Sequence, residues 1–236
     1  MLFTAHLFDT NPLVAARRSA PDPGDVPGLL SSRNGVCAQF SHSFLPSPQL
    51  GREAILACWE NEDAIDQFLE GDPLGRVAAT GWHMRLELVR AVGIFPGMPD
   101  IDFAEVAGDK DQAMTGPSVA FTLGHAYLKT FPQFYRVNKG LERQFLETDD
   151  AIWGTAMTNL RTRFVATITV WESLDAASQY MKSGAHGAAM RNHYHPDKDP
   201  TGHDFVTGGG FLGFRPLSMT GSVSGANPVS DALLVS

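Results

Sequence analysis

Apolar residues recur along this chain with two periods, and the switches between them mark out strands and helices. Residues 2 to 8 (LFTAHLF) and 36 to 44 (VCAQFSHSF) are rich in aromatic and β-branched side chains between Pro, Gly and Ser clusters, so both read as strands. The stretch 11 to 30 between them predicts helix only in pieces. Ala54 to Trp59 (AILACW) is a short apolar run, and Glu62 to Leu74 sets Ala64, Ile65, Phe68 and Leu69 at helical spacing, a strand leading into an amphipathic helix. From Trp82 to Val92, Met84, Leu86 and Leu88 alternate with Arg85, Glu87 and Val89, the period-2 pattern of a half-buried strand. Pro96 to Asp111, rich in Pro, Gly and Asp, reads as a linker.

The order then begins again. Val119 to Leu128 reads as a strand, and Phe131 to Phe145 carries Phe134, Val137, Leu141 and Phe145 on one helical face. Phe164 to Trp171 (FVATITVW) is strongly β-prone, Asp175 to Asn192 is helical by pattern, and Gly210 to Phe214 introduces a last strand. Residues 218–236 are polar, small and aperiodic and read as a flexible tail.

Set under each other, the halves repeat. WENEDAIDQFLEGDPL, from Trp59, lies over WESLDAASQYMKSGAH, from Trp171, at a constant offset of 112 without a gap. The Trp-Glu and Asp-Ala pairs and Gln67 with Gln179 match, and Phe68 lies over Tyr180. A unit of strand, helix, strand, strand, helix, strand is a ferredoxin-like module. One such module leaves an apolar sheet face bare, and two can cover each other's. The expected fold is α+β: two tandem ferredoxin-like modules forming a dimeric α/β barrel, with an N-terminal module over 1–108, a C-terminal module over 109–217 and the tail.

Composition narrows the function. The 236 residues amount to about one and a half typical domains, which fits two small modules. The net charge of −8 leaves no basic field for nucleic acid or an anionic membrane surface. Two cysteines, Cys37 and Cys58, are too few for a disulfide scaffold and lack zinc-ribbon spacing. No apolar stretch approaches the roughly 18 residues of a membrane span. The start breaks its apolar run at Asp9, Asn11 and Pro12, unlike an export signal. A soluble, cytoplasmic protein is expected. No GxSxG context supports acyl chemistry, and the run Gly208 to Gly210 lacks phosphate-loop spacing, so it reads as a close backbone approach or a bulge.

The repeat isolates a candidate site, because His186 stands where the first copy has Leu74. Gly184, Ala185, Gly187, Ala188 and Ala189 surround it with little bulk, which fits an axial haem ligand approached by a large flat group. On spacing alone the plainer alternative, a helix-end histidine facing solvent, is preferred.

Further motifs carry a resemblance. Val119 to Gly124, Ala166 to Trp171 and the run Ala185, His186, Ala189, Met190, Arg191 resemble the spheroidene monooxygenase family, acyclic carotenoid oxygenases. So do Pro73, Leu74, Trp82, Arg85, Leu86, Arg90, Gly93 and Gly97 in the first half. The resemblance runs in small motifs from about Ile55 to Phe214 and extends more distantly to aldoxime dehydratases and chlorite dismutases. It implies haem b, with His186 as the proximal iron ligand and Met190 beside it in the cofactor motif. Arg163, with Arg161, Arg85 and Arg90, reads first as an ordinary surface charge and second as a candidate donor to haem propionates. The segment NHYHPDKDPTGHDF departs from the family. Its His193, His195, His203, Asp197, Asp199 and Asp204 suit a solvated loop first, and a divalent metal second. His203 is a candidate distal catalytic group.

The implied activity is a haem-dependent monooxygenase that oxidises an apolar small molecule with O2 or a peroxide, with an electron donor where O2 is used. A haem-dependent dehydratase of the aldoxime type and a cofactor-free barrel that binds an apolar metabolite remain alternatives. No nucleic-acid partner is expected, and a homo-oligomer is left open.

Overall fold

The computed structural model describes residues 2–94, 116–194 and 206–223, with 225, 227 and 229. Its first half runs β1 (Leu2–Asp9), α1 (Pro12–Arg17), β2 (Leu29–Gln39), β3 (Pro48–Trp59), α2 (Glu62–Gly71), α3 (Pro73–Ala78) and β4 (Trp82–Ile94). The second runs β5 (Ser118–Ala126), α4 (Phe131–Leu146), β6 (Ala151–Asn159), β7 (Phe164–Trp171), α5 (Leu174–Lys182), α6 (Gly184–Tyr194) and β8 (Val206–Thr220). The eight strands close into one antiparallel barrel in the order β1-β3-β2-β6-β7-β5-β8-β4. Each half thus has the ferredoxin-like order, β4-β1-β3-β2 and β8-β5-β7-β6, and the halves join through β2–β6 and β4–β8. The expected two-module α+β barrel is the observed one, and it closes within a single chain.

Strand periodicity sorts the side chains into an interior and two outer faces. Phe3, Leu56, Met84, Leu86, Phe121 and Phe214 fill the barrel. On the outside, Phe8, Ile55 and Trp59 pack under Ile65 and Phe68 of α2, while Trp171 and Phe211 pack under Phe145 of α4 and Leu174 of α5. No helix among the described residues is long and apolar enough to cross a membrane.

The repeat extends to details that the pattern alone did not reveal. Asn61 caps α2 by accepting from Ala64 N at 3.0 Å, and Ser173 caps α5 by accepting from Ala176 N at 3.1 Å, again 112 residues apart. A Cβ on Gly75 would lie 1.8 Å from Phe68 O, and one on Gly187 would lie 2.2 Å from Lys182 O. In each module only glycine lets the second helix approach the first this closely.

Several expected boundaries change. The run at 36–44 belongs to a strand that starts at Leu29 and stops at Gln39. The helix expected over 62–74 breaks at Asp72, because Pro73 lacks the N–H that would continue it and instead opens α3. The helix over 175–192 breaks at Gly184, whose φ of +51° reverses the chain. β6 fills the strand position that the module order requires and that no local pattern marked. The last strand is longer than Gly210 to Phe214, and the tail beginning at Ser218 starts inside it: Met219 is buried in β8, and Val223 and Val229 are buried beyond it. The linker at 96–111 and the boundary at 108/109 lie outside the described residues.

Candidate functional site

A cavity of about 670 Å³ lies over the outer face of the second sheet, beneath α4, α5 and α6, and reaches along β2 to α1. That volume suits a drug-sized ligand. Its origin is a difference between the modules. Register pairs Thr4, His6 and Phe8 of β1 with Ala57, Ile55 and Glu53 of β3, and Ala120, Thr122 and Gly124 of β5 with Thr169, Thr167 and Val165 of β7. The buried His6 and Phe8 side chains that fill the first module's outer face are therefore replaced by Thr122 and Gly124. The six-residue α1 is replaced by the sixteen-residue α4. Smaller sheet residues under a longer helix leave open space. The lining is mainly apolar, with Thr122, Thr167, Thr169, Asn138, Lys139 and Glu142 among its polar groups.

His186 lines this cavity from the first turn of α6 and is buried, 7% exposed. Its Nδ1 lies 3.1 Å from Met181 O. A carbonyl only accepts, so the proton is on Nδ1 and the neutral ring keeps its lone pair on Nε2. Burial holds the imidazole pKa below its usual range, against the opposing pull of the bond to Met181. The backbone N–H of His186 donates to Gln144 Oε1 of α4 at 3.1 Å, and the ring packs on Tyr180 at 5.0 Å between centroids. Tyr180 donates to Leu141 O at 2.8 Å and stacks on Trp171 at 4.9 Å. An aromatic wall and two hydrogen bonds thus fix this histidine in one tautomer.

The small residues around His186 have other tasks than the sequence suggested. Gly187 is spent on the approach to Lys182 O, and Ala185 is exposed; of the group, Ala189 lines the cavity. Arg163 sits exposed in the β6–β7 turn at φ +62° and is not a lining residue. Arg85 pairs with Asp66, Arg90 Nη1 donates to Ser178 Oγ at 3.1 Å, and Arg161 Nη1 donates to Arg17 O at 2.6 Å. His195, Asp197, Asp199, His203 and Asp204 lie outside the described residues, as do the side chains of Met190 and His193, the latter on α6 and not in the expected loop. Gly209 and Gly210 of the glycine run line the cavity.

Sequence reasoning missed the charged pair in the lining. Lys139 Nζ pairs with Glu142 and also donates to Ser41 O at 3.4 Å, and the two side chains are 7% and 15% exposed. The available signal was two charges three residues apart beside the Phe134, Leu141 and Phe145 face of α4. The cysteines are inert by comparison, since burial pushes both thiols up to about 12. Among the described residues, no three His, Cys, Asp or Glu side chains converge as a metal site.

Comparison with protein-family models and with curated proteins returns no match. Solved structures do match at low identity. A candidate monooxygenase of Fusobacterium nucleatum aligns with a TM-score of 0.40 and 8% identity over 94% of this chain and 95% of its own. A haem-degrading enzyme of Listeria monocytogenes aligns at 0.32 and 10% over 89% and 98%. A ferredoxin-fold protein of Listeria monocytogenes, related to antibiotic biosynthesis monooxygenases, aligns at 0.31 and 11% over 89% and 94%. These likenesses concern the fold.

Proposed function

We propose that the chain is a haem-dependent monooxygenase acting on an apolar small molecule, with His186 as the axial ligand. The observation that carries this reading is the buried His186 on the cavity wall, neutral and with Nδ1–H donated to a backbone carbonyl. That arrangement matches a metal-ligating histidine, whose second nitrogen is almost always held by a carbonyl or carboxylate. A haem brings its own four nitrogens, so one protein ligand is enough and no cluster of ligands is required. When bound, the haem would supply the oxygen chemistry, using O2 with an electron donor or a peroxide.

The protein's part is to bind, orient and exclude water. Val165 and Phe211 on the sheet and Phe134 and Leu141 on α4 give an apolar chamber for the flat cofactor and the substrate. Lys139 and Glu142 place a charged pair at the wall, where Lys139 Nζ can hold an anionic group such as a propionate. Arg163 and Met190 are not needed for this arrangement, and His203 is retained as the distal group of the proposal.

The test is a hemin titration of the purified protein. A Soret band that saturates at one equivalent is expected, and His186→Ala should lose the native band and most of the affinity. Protein that binds no hemin, or a His186→Ala variant with unchanged affinity and spectrum, would overturn the reading. In the first case the cofactor-free apolar binder remains.

A further inference from the structure

Four neighbouring segments contribute to the cavity wall: residues 13–18, 40–50, 127–137 and 158–163, with Tyr135 donating to Phe44 O and Arg161 to Arg17 O. Each contributes lining residues, such as Ala16, Pro46, Tyr135 and Leu160. They also share an unusual surface. Leu13, Phe44, Leu45, Leu50, Leu128 and Leu160 are between 59% and 79% exposed. Scattered exposed apolar residues need no explanation, but five leucines and a phenylalanine in the segments around one cavity mark an interaction surface.

The charge of the same segments is equally one-sided. They hold six of the chain's 18 Lys and Arg residues and none of its 26 Asp and Glu residues. Arg18 is drawn inward to Glu53, with 3.4 Å between them, whereas Arg17, Lys129, Arg136, Arg161 and Arg163 are exposed. An acidic protein has thus gathered basic groups beside an apolar surface.

We propose that this face docks on an anionic phospholipid bilayer, with the exposed leucines in the acyl boundary and the arginines and lysine among the headgroups. Exposed apolar side chains interleaved with basic ones are the composition of an interfacial membrane anchor, and each Lys or Arg near such a surface changes partitioning by roughly five-fold. Because the same segments line the cavity, a docked protein would take an apolar substrate from lipid to site without a passage through water. The docking deepens the proposed oxygenase reading by naming the source of its substrate and rests on that reading only for the substrate's fate.

Flotation with vesicles tests it on the full-length protein without hemin, so the outcome is independent of haem binding. Vesicles of phosphatidylcholine with phosphatidylglycerol should carry the protein up the gradient, and raised salt should release it. Lys129→Gln with Arg136→Gln should lower partitioning by roughly 25-fold. Leu45→Asp with Leu160→Asp should abolish it, while Leu217→Asp, on an exposed β8 position outside the four segments, should leave it unchanged. Unaltered thermal unfolding of the variants confirms that they remain folded. Absence of the wild type from anionic vesicles, or equal flotation of the Leu45→Asp/Leu160→Asp variant, overturns the proposal. So does concentration-dependent self-association that the same variant removes without any vesicle binding, which would assign the face to a second copy of the chain.

Discussion

The first module's counterpart of the cavity is filled by His6, and that residue makes the protein sensitive to mild acid. His6 is fully buried; its Nε2 lies 2.9 Å from Thr4 Oγ1, which also accepts from Trp59 Nε1 at 2.8 Å. Its Nδ1 has no hydrogen-bond partner among the described residues, and the ring lies 6.2 Å from that of Phe68 and 5.9 Å from that of His83. Burial, with His83 and Arg85 acting in the same direction, lowers its pKa from 6.5 to about 3. Above pH 6.5 neither folded nor unfolded chain protonates this ring, and stability is complete. As the pH falls below 6.5 the unfolded chain takes a proton that the folded one refuses, at a cost of about 1.4 kcal/mol per pH unit down to about pH 3. At pH 4.5 the accumulated loss is about 2.7 kcal/mol, a large part of a typical 5–15 kcal/mol. His83, His125 and His186 are lowered too and act with the same sign, while Glu53, raised by burial, acts with the opposite one. The His6 contribution is therefore isolated by His6→Phe, which keeps an aromatic ring among Phe68 and Trp59. Urea unfolding of both proteins at pH 7 and pH 4.5 measures it. The variant should gain about 2–3 kcal/mol on the wild type between the two pH values. An equal difference at both would show that His6 is not held neutral by the fold, and the reasoning would fail.

The cavity and its lining give further expectations, besides the hemin and vesicle experiments. Thr122→Trp puts a large side chain where the first module has His6. Hemin affinity should fall at least tenfold in a spectroscopic titration, with a thermal midpoint equal to or above that of the wild type because apolar area is buried in an open space. Lys139→Met leaves the Glu142 carboxylate on the wall without its partner and should cost about 3 kcal/mol by urea unfolding, whereas Lys139→Met with Glu142→Leu should recover most of that loss. A double variant no more stable than the single would refute the pairing.

Legibility followed how strongly each element depends on local pattern. The barrel was readable because both halves keep a strand that ends in Trp and an amphipathic helix after it, and the 112-residue offset matched them without a gap. β6 escaped because its outward positions, Gly154, Ala156 and Thr158, are small or polar, so no alternation shows. Those residues are small for a tertiary reason: a Cβ on Gly154 would meet Phe40 at 2.6 Å and Phe145 at 3.0 Å, and Ala156 and Thr158 line the cavity. β8 ran beyond its apolar centre because its pairing with β4 carries polar residues such as Arg215, Ser218 and Thr220. His186 was legible by position, but its tautomer was not, since that depends on a turn at Gly184 that brings the ring onto Met181 O.

What the two halves share and what they do not are different kinds of information. The caps at Asn61 and Ser173, the close helix approaches at Gly75 and Gly187, and the buried Trp59 and Trp171 recur because any module of this geometry requires them. The replacements of His6 by Thr122, Phe8 by Gly124 and Leu74 by His186 satisfy no such requirement. Each removes packing from the second module or puts a lone pair on the wall of the space so opened. These replacements open the space and set a lone pair on its wall, and the proposed ligand is therefore to be sought there and not in the barrel interior. Net charge misleads in the same way as a whole-chain average. A total of −8 argues against an anionic surface only if the charges are mixed, and in the four segments beside the cavity they are segregated.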